Sequence, residues 1–203
     1  MISVMALIGV FWAGLLSLPY EAVAAGFTLM SESGEIETGG KLDDEIGNKL
    51  GFYTEPKLQA YVSDIVRRLV RAGSPRSFEY RVKIVDIAEE NAFATVGGYV
   101  YVTRGMLAQL NSETELAGVM AHEISHVALR HGTNQASKAY LAKAGLGILG
   151  GVLGGGGGGS TAQIIQAVGG LGLNTLFLKF SRTAETQADI LGTQIMARAG
   201  YDP

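Results

Sequence analysis

A chain of 203 residues can bury the core of one domain, and its formal net charge of −3 is close to neutral. Lys and Arg form no cluster or stripe, so the sequence gives no electrostatic reason to expect nucleic-acid binding. The chain contains no cysteine. This excludes disulfide bonds, thiolate metal ligands and lipids attached to cysteine, but it does not identify the compartment.

Residues 1–24 are predicted to be an export signal. Residues 2–18 are almost entirely apolar, Pro19 interrupts the run, and the small residues Ala22 and Ala24 then provide a cleavage pattern. No Lys or Arg precedes the apolar run, which departs from a typical signal. An uncleaved membrane anchor is the alternative, although seventeen residues is near the lower limit for crossing a bilayer. Both interpretations place the rest of the chain in an extracytoplasmic space, and membrane association stays open.

A linker and a scaffold helix are predicted next. Residues 25–40 mix Gly, Ser, Thr and Glu without clear periodicity, which is typical of a linker. Residues 55–72 then carry apolar side chains at three- and four-residue steps, and this predicts an amphipathic helix. Pro56 suits the first turn of that helix and Gly73 suits its end. Nothing on the helix suggests chemistry.

A small sheet is predicted to follow. Residues 80–87 are rich in β-branched side chains and indicate a strand. Two further runs, 91–96 and 99–103, flank Gly97-Gly98 and predict a tight hairpin, because the favoured two-residue turns need positive φ angles. Strands that precede the main helices indicate an α+β fold with a small sheet rather than a doubly wound fold.

The strongest chemical motif is His122-Glu123-x-x-His126, an H-E-x-x-H pattern. On a helix the two imidazoles project from one face and can reach a single zinc ion at about 2 Å. Glu123 lies at the edge of the same face, where it can act on a water at the metal without being a ligand. Two solvated or core histidines are the alternative. However, two of the three histidines in the chain lie in this motif.

The motif is predicted to lie inside a capped helix. Ser112 and Glu115 form a capping-box pattern that starts the helix, and Gly132 can end it. His131 follows His126 by five residues, about 140° round a continuous helix. We therefore predict that His131 points away from the metal, interacts with the negative end of the helix dipole and is not a ligand.

A third protein ligand is needed, and residues 180–189 offer candidates. Glu185 and Asp189 lie one turn apart on a helix that is predicted to run to about Ala199. One carboxylate can bind the metal while the other holds a ligand histidine in place. A solvated acidic face has the same spacing, so the spacing alone leaves both interpretations open.

Three separated motifs also carry a resemblance to a known family. They are His122-Glu123-Ile124-Ser125-His126-Val127 with Arg130-His131-Gly132, then Ser181-Arg182-x-x-Glu185-x-x-x-Asp189, and finally Ala199-Gly200-Tyr201-Asp202-Pro203. Together with residues 91–98 and 105–107, they resemble the M48 family of zinc metallopeptidases. The resemblance covers roughly residues 42–203, and the three motifs are jointly far more specific than H-E-x-x-H alone.

The resemblance implies a mainly helical, zincin-like metallopeptidase domain over residues 41–203, with a small sheet or hairpin beside the active-site helix. It implies one Zn2+ per chain and assigns the family's site residues to this chain: metal ligands His122, His126 and Glu185, general base Glu123, and orienting residue Asp189. It further implies the exported bacterial branch, whose members resemble proteases of misfolded proteins in the periplasm or cell envelope.

Two features depart from the exported relatives. Those proteins usually continue past the Tyr-Asp-Pro signature, so segments that select substrate are expected to be missing here, and Arg182 is a candidate for stabilising the oxyanion. Residues 144–178 are uncharged and include six consecutive glycines at 154–159. Their composition favours a flexible cover beside the active site over the alternative of a membrane hairpin.

The predicted function is zinc-dependent cleavage of unfolded or misfolded polypeptides. A zinc-containing chaperone or adaptor with little proteolysis is the main alternative, and a membrane-inserted protease of the same family is another. Glu123 favours an enzyme, because a pure metal scaffold needs no general base.

The hairpin is predicted to hold the substrate. Asn91, Ala92, Phe93 and Ala94 are expected in an edge strand beside the zinc, where unpaired N–H and C=O groups can bind an extended chain as an added strand. Backbone pairing predicts broad cleavage that favours unfolded polypeptides. The alternative is an ordinary core sheet, with substrate selected elsewhere.

Overall fold

The computed structural model describes residues 28–76, 79–150 and 180–203, and the side chains of residue 140 and residues 142–150 are not described. The predicted export signal lies outside this part of the chain. The elements in chain order are α1 (Glu32–Leu50), α2 (Pro56–Gly73), β1 (Arg81–Val85), β2 (Ala92–Ala94), β3 (Tyr99–Thr103), α3 (Arg104–Gln109), α4 (Glu113–Ala128), α5 (His131–Gly150) and α6 (Arg182–Arg198). The predicted α+β class, mainly helical with a small sheet, is confirmed.

The sheet has the strand order β1-β3-β2. Strand β1 pairs with β3 in parallel, and β2 pairs with β3 in antiparallel orientation. The free side of β1 is partly covered, because Phe52 bridges Val85 and the Tyr53 N–H donates to the Ile84 carbonyl. Strand β2 is therefore the edge of the sheet within the described residues.

The predicted hairpin joins β2 to β3, with a three-residue turn in place of the expected two. The Thr95 N–H donates to the Tyr99 carbonyl at 2.9 Å and closes the turn. Gly97 and Gly98 have φ angles of 77° and 94°, a region that glycine enters without steric cost. A side chain at Gly97 would also overlap the backbone of Glu35 in α1. The turn thus needs glycine both for its conformation and for its close contact with α1.

The sheet is covered on both faces. Strand β3 is buried along its whole length, and its alternating side chains divide between two clusters. Val100 and Val102 pack with apolar residues of α2, α4 and α6, including Met120. Tyr99 and Tyr101 point to the opposite face, where Ile46 of α1 lies. Helix α4 is consequently held between the sheet and two other helices.

Helix α1 corrects the linker prediction, which is wrong for residues 32–40. Ser31 caps the helix by accepting from the Gly34 N–H. The buried face of its first half consists of Gly34, Glu35, Thr38 and Gly39, so it carries no apolar stripe. A side chain at Gly39 would overlap the Val96 carbonyl. Close backbone packing and a buried charge therefore replace the apolar periodicity that usually marks a packed helix.

The junction between α4 and α5 also differs from the prediction. Ser112 caps α4 as expected, accepting from the Glu115 N–H at 3.2 Å. The helix does not run on to Gly132 but ends at Ala128, and a new helix begins at His131. Arg130 lies between them with a φ angle of 57°. This left-handed conformation is uncommon for a residue with a side chain, and it changes the direction of the chain directly after the H-E-x-x-H motif.

Candidate metal centre

Three predicted ligands come together between α4 and α6. His122 and His126 project from one face of α4, and Glu185 lies in the first turn of α6. The His122 and His126 Nε2 atoms are 2.9 Å apart. The Glu185 Oε2 atom lies 3.3 Å from the first of these nitrogens and 3.7 Å from the second. Among the described residues, these three form the group whose donor atoms could hold one metal ion.

A glycine allows α6 to approach α4 closely. A Cβ atom at Gly192 would lie 3.2 Å from the His122 backbone nitrogen, so a larger residue would push the helices apart. Ala121 lies on the α4 side of this contact and is fully buried. The contact lies two helical turns beyond Glu185. It therefore determines where along α4 the Glu185 carboxylate meets the two histidines.

The donor triangle fits a small tetrahedral ion. Zinc binds imidazole nitrogen and carboxylate oxygen at about 2.0–2.2 Å, which separates adjacent tetrahedral ligands by roughly 3.3 Å. The observed separations of 2.9, 3.3 and 3.7 Å bracket that value. If both imidazoles carry their Nε2 lone pairs, two lone pairs and an anionic oxygen lie this close together and repel one another unless a cation lies between them. The geometry and chemistry of the donors therefore suit a bound cation.

Glu123 lies beside the ligands on the same turn of α4 and is partly buried. Burial, with a smaller contribution from the charge of Glu185, raises the pKa of Glu123 to about 8. Both effects disfavour the carboxylate. A divalent cation at the three donors acts in the opposite direction, because its charge favours the carboxylate form.

Asp189 holds His122 from the side away from the metal group. Its Oδ1 atom lies 2.9 Å from Nδ1 of His122, which agrees with the orienting role that the family resemblance implied for Asp189. A carboxylate only accepts hydrogen bonds, so the hydrogen of a neutral His122 resides on Nδ1. The lone pair on Nε2 then faces His126 and Glu185, as a metal ligand requires.

His126 is the more deeply placed of the two histidines, with 2% of its side chain exposed. The Phe180 ring stacks on its imidazole, with the centroids 4.2 Å apart and the planes 21° apart. Burial, reinforced by the neighbouring His122 and His131, lowers the pKa of His126 to about 3. The imidazole is thus neutral at physiological pH, which is the form that binds metals.

His131 stays outside the group of metal donors, as predicted, but the prediction that it points away from that face of the helix is wrong. The break at Arg130 turns His131 back, so that its Nδ1 atom lies 3.0 Å from Nδ1 of His126. Its other nitrogen, Nε2, lies 3.1 Å from the Gln187 Oε1 atom. His131 is outside the three-residue donor group but directly supports one of its members. Residue spacing could not predict the contact between His131 and His126, because the angle of 140° applies only to an unbroken helix.

Buried charges hold the junction itself. The Arg130 guanidinium donates to Glu35 of α1 at 2.6 Å and to the Met30 carbonyl at 2.7 Å. Thr133 donates to the same Glu35 carboxylate at 2.6 Å. Glu35 has only 2% of its side chain exposed. These contacts stabilise the left-handed conformation at Arg130 and so fix where His131 begins α5.

Three of the four predicted substrate-binding residues, Ala92, Phe93 and Ala94, form β2, which packs against α4, and Asn91 directly precedes this strand. The Thr103 N–H donates to the Asn91 carbonyl, and Thr95 donates to Tyr99. Because pairing alternates along an antiparallel ladder, Ala92 and Ala94 direct their backbone groups away from β3. The Phe93 side chain turns to the α1 face and stacks on Tyr101. Strand β2 is therefore both an edge strand and a neighbour of the metal helix.

Two other predictions concern the surroundings of the site. Arg182, the oxyanion candidate, is exposed at the first residue of α6, and its role stays a prediction. Helix α5 includes residues 144–150, while 151–179 lie outside the described part of the chain, so the predicted cover remains a prediction. None of the described helices is long and apolar enough to cross a membrane.

Two histidines one turn apart, a carboxylate from a second helix and an adjacent glutamate define the class of metal-dependent hydrolases. The family model for Peptidase family M48 matches residues 55–203. The chain belongs to this family, which is one of metallopeptidases. The family name predicted from the three motifs is thereby confirmed.

Curated relatives are similar over most of this chain. A beta-barrel assembly-enhancing protease from Escherichia coli (strain K12) is 30% identical over 191 residues, which cover 92% of this chain and 39% of the relative. The mitochondrial metalloendopeptidase OMA1 of Schizosaccharomyces pombe is 29% identical over 150 residues, or 70% of this chain and 40% of the relative. The chain thus spans about two fifths of the length of these relatives.

Proposed function

We propose that this chain is a zinc-dependent endopeptidase that cleaves unfolded or misfolded polypeptides in the bacterial cell envelope. The observation that carries the proposal is the placement of His122, His126 and Glu185, whose donor atoms form a triangle with sides of 2.9–3.7 Å. Glu123 lies beside this triangle without belonging to it, as expected of a general base.

Zinc is the metal that the donor set suits best. Two neutral imidazoles and one carboxylate are the ligand set of catalytic zinc sites that leave a fourth position open. The site has no thiolate, since the chain contains no cysteine. A bound zinc ion supplies Lewis acidity, which polarises a peptide carbonyl and makes water more acidic. We expect one ion per chain.

Glu123 provides the proton transfers. Its carboxylate accepts a proton from the attacking water as the peptide carbonyl is attacked, and it then delivers that proton to the departing amine nitrogen. Partial burial makes the carboxyl group a stronger base than an exposed glutamate. Gln cannot accept this proton, although it has nearly the same shape.

The edge strand supports the choice of an extended substrate. Ala92 and Ala94 direct backbone groups away from β3, and an added strand could pair with them. Ala94 also lines a small pocket with His126 and Phe180, so a chain paired there would pass near the metal ligands. Such pairing reads the backbone rather than side chains and favours unfolded polypeptides over compact ones.

The cell-envelope location rests on two indirect arguments. One is the predicted export signal at residues 1–24. The other is the name of the E. coli relative, which connects that protein with β-barrel assembly. Fractionation of the native cell, followed by N-terminal sequencing, tests both. We expect the mature chain to begin at Ala25 or one residue later, whereas an intact Met1 in the membrane fraction would support the anchor.

The central test compares wild type with Glu123→Gln for zinc content and for cleavage of unfolded casein. The variant should keep about one zinc per chain and lose nearly all peptidase activity, because the ligands remain while the base is gone. Glu37→Gln is the matched control, since Glu37 is exposed on α1 with only a surface partner.

Full-rate cleavage by the Glu123 variant would show that another group is the base. Zinc binding without any cleavage by wild type would favour the chaperone or adaptor alternative.

A further inference from the structure

Behind His126, away from the metal group, lies a row of three hydrogen-bonding side chains. His126 Nδ1 is 3.0 Å from His131 Nδ1, and His131 Nε2 is 3.1 Å from Gln187 Oε1. His131 has 7% of its surface exposed, and Gln187 is half-buried on α6. The row therefore connects α6 to a predicted metal ligand on α4 through the first residue of α5.

The hydrogens in this row can be arranged in two ways. Each of these two contacts needs one donor and one acceptor, and a neutral imidazole carries one N–H and one lone pair. The contact between the Nε2 atoms of His126 and His122, at 2.9 Å, is the one that a bound metal would replace. If the Gln187 carbonyl accepts from His131 Nε2, then His131 Nδ1 accepts from His126 Nδ1. The Nε2 lone pair of His126 is then free for a metal. If the Gln187 amide group donates instead, every hydrogen moves along by one nitrogen, and His126 Nε2 carries a hydrogen that blocks metal binding.

We infer that Gln187 and His131 are positioning residues that stabilise the tautomer of His126 in which Nε2 can bind a metal. The inference rests on the proposed role of His126 as a ligand. The side chain that holds His122, Asp189, is a carboxylate and accepts only, so its direction is fixed. Gln187 is an amide that could serve in either direction. In the structure its Oε1 atom faces His131 Nε2 at 3.1 Å, which is the accepting orientation that this tautomer requires.

Helix α6 then has three roles at the site. Glu185 supplies a donor atom, Asp189 orients one histidine directly, and Gln187 orients the other through His131. The left-handed turn at Arg130 makes the third role possible, because on a continuous helix His131 would point elsewhere. The H-E-x-x-H motif is thus completed by side chains from a helix more than fifty residues further along the chain.

The test uses substitutions at Gln187, where partial exposure favours normal folding. Gln187→Met keeps the shape but removes the hydrogen bond, and Gln187→Glu offers only an acceptor. Zinc affinity at pH 8, measured by competition with a chelator, should fall roughly 10-fold in the Met variant and stay near wild type in the Glu variant. Thr186→Glu is the charge control, because it adds the same charge at an exposed neighbour. Thermal melting of each metal-free variant checks its folding.

A spectroscopic measurement reads the tautomer directly. Long-range 1H–15N spectra of the zinc-loaded wild-type chain should show His131 with its hydrogen on Nε2, and only three histidines need assignment. His131→Phe, which keeps a ring but no acceptor, should lower zinc affinity roughly 10 to 100-fold. A hydrogen on His131 Nδ1, or equal zinc affinity in the Met and Glu variants of Gln187, would overturn the inference. A wild-type chain that binds no zinc would instead overturn the proposed function.

Discussion

Helix α1 and helix α6 both contact the junction between α4 and α5, α1 through Glu35 and α6 through Gln187. The sequence signals that indicate α1 differ from those that indicate α4 and α6. Helices α4 and α6 carry chemically distinctive residues at one-turn spacing. These residues, His122 and His126 on α4 and Glu185 and Asp189 on α6, lie together in the structure. Helix α1 carries no apolar stripe in its first half and packs through Gly39, Thr38 and the buried Glu35. The comparison shows that reactive side chains can be recognised from local spacing, whereas close backbone packing depends on a partner far away in sequence.

The largest effect that tests this comparison is expected at the proposed metal ligands. Glu185→Ala should lose zinc outright, because only two protein ligands would remain. Asp189→Ala should weaken zinc binding roughly 10 to 100-fold, since it removes the carboxylate that orients His122 but no donor atom. Zinc content after dialysis and affinity from chelator competition distinguish the two. Equal affinity in both variants would contradict the division of roles between the two carboxylates.

The sequence was sufficient to predict the class of fold, the H-E-x-x-H helix and the contact of Asp189 with a ligand histidine. The class of fold and the helix follow from periods and spacings within single elements, whereas the contact of Asp189, which joins two helices, was implied by the resemblance to the family. It was insufficient for His131, because its direction depends on the φ angle of Arg130, which an ion pair with Glu35 stabilises from 95 residues away. It also gave no sign that β1 and β3 would pair in parallel, since pairing between strands is not a local property.

The second largest effect is the pH dependence of the stability of the metal-free protein, which depends on Glu123 of α4. The folded pKa of Glu123 is about 8, against an ordinary value of 4.5. The folded state therefore holds the proton more tightly than the unfolded state does. The tighter binding of this proton stabilises the folded state fully below pH 4.5, and this stabilisation is lost as the pH rises through 8. Glu123→Gln does not titrate and should escape this loss.

Urea unfolding of the metal-free wild type and the Glu123→Gln variant measures the effect. At pH 8 we expect the variant to be more stable by on the order of 4 kcal/mol, and the difference should shrink towards pH 4.5. Saturating zinc should reduce the difference at pH 8, because the cation favours the carboxylate. A difference that is the same at both pH values would contradict the raised pKa.

Two adjacent glycines test the helix side of the comparison. In a linker, Gly39→Ala and Gly40→Ala would both be nearly neutral. In the α1 helix, Gly40→Ala should stabilise the protein by about 0.5–1 kcal/mol, since its nearest new neighbour is the Tyr99 hydroxyl at 3.6 Å. Gly39→Ala would instead overlap the Val96 carbonyl and should destabilise by about 1–3 kcal/mol. The urea midpoints of both variants measure these changes in stability. Changes of the same sign would contradict the close packing of Gly39 against Val96.

The smallest expected effect concerns β2, which packs on α4 and reaches α1 through its turn. Ala94 directs its N–H away from β3, so Ala94→Pro removes one edge donor without breaking the ladder. The loss of one hydrogen bond, worth about 1 kcal/mol, should weaken binding of an extended peptide roughly 5-fold. Ala94→Ser keeps the N–H and should bind the peptide like wild type, and both variants should hold zinc. Peptide affinity can be measured in the inactive Glu123→Gln background, where the peptide is not cleaved. A folded, zinc-loaded proline variant that binds peptide at wild-type affinity would show that substrate is held elsewhere.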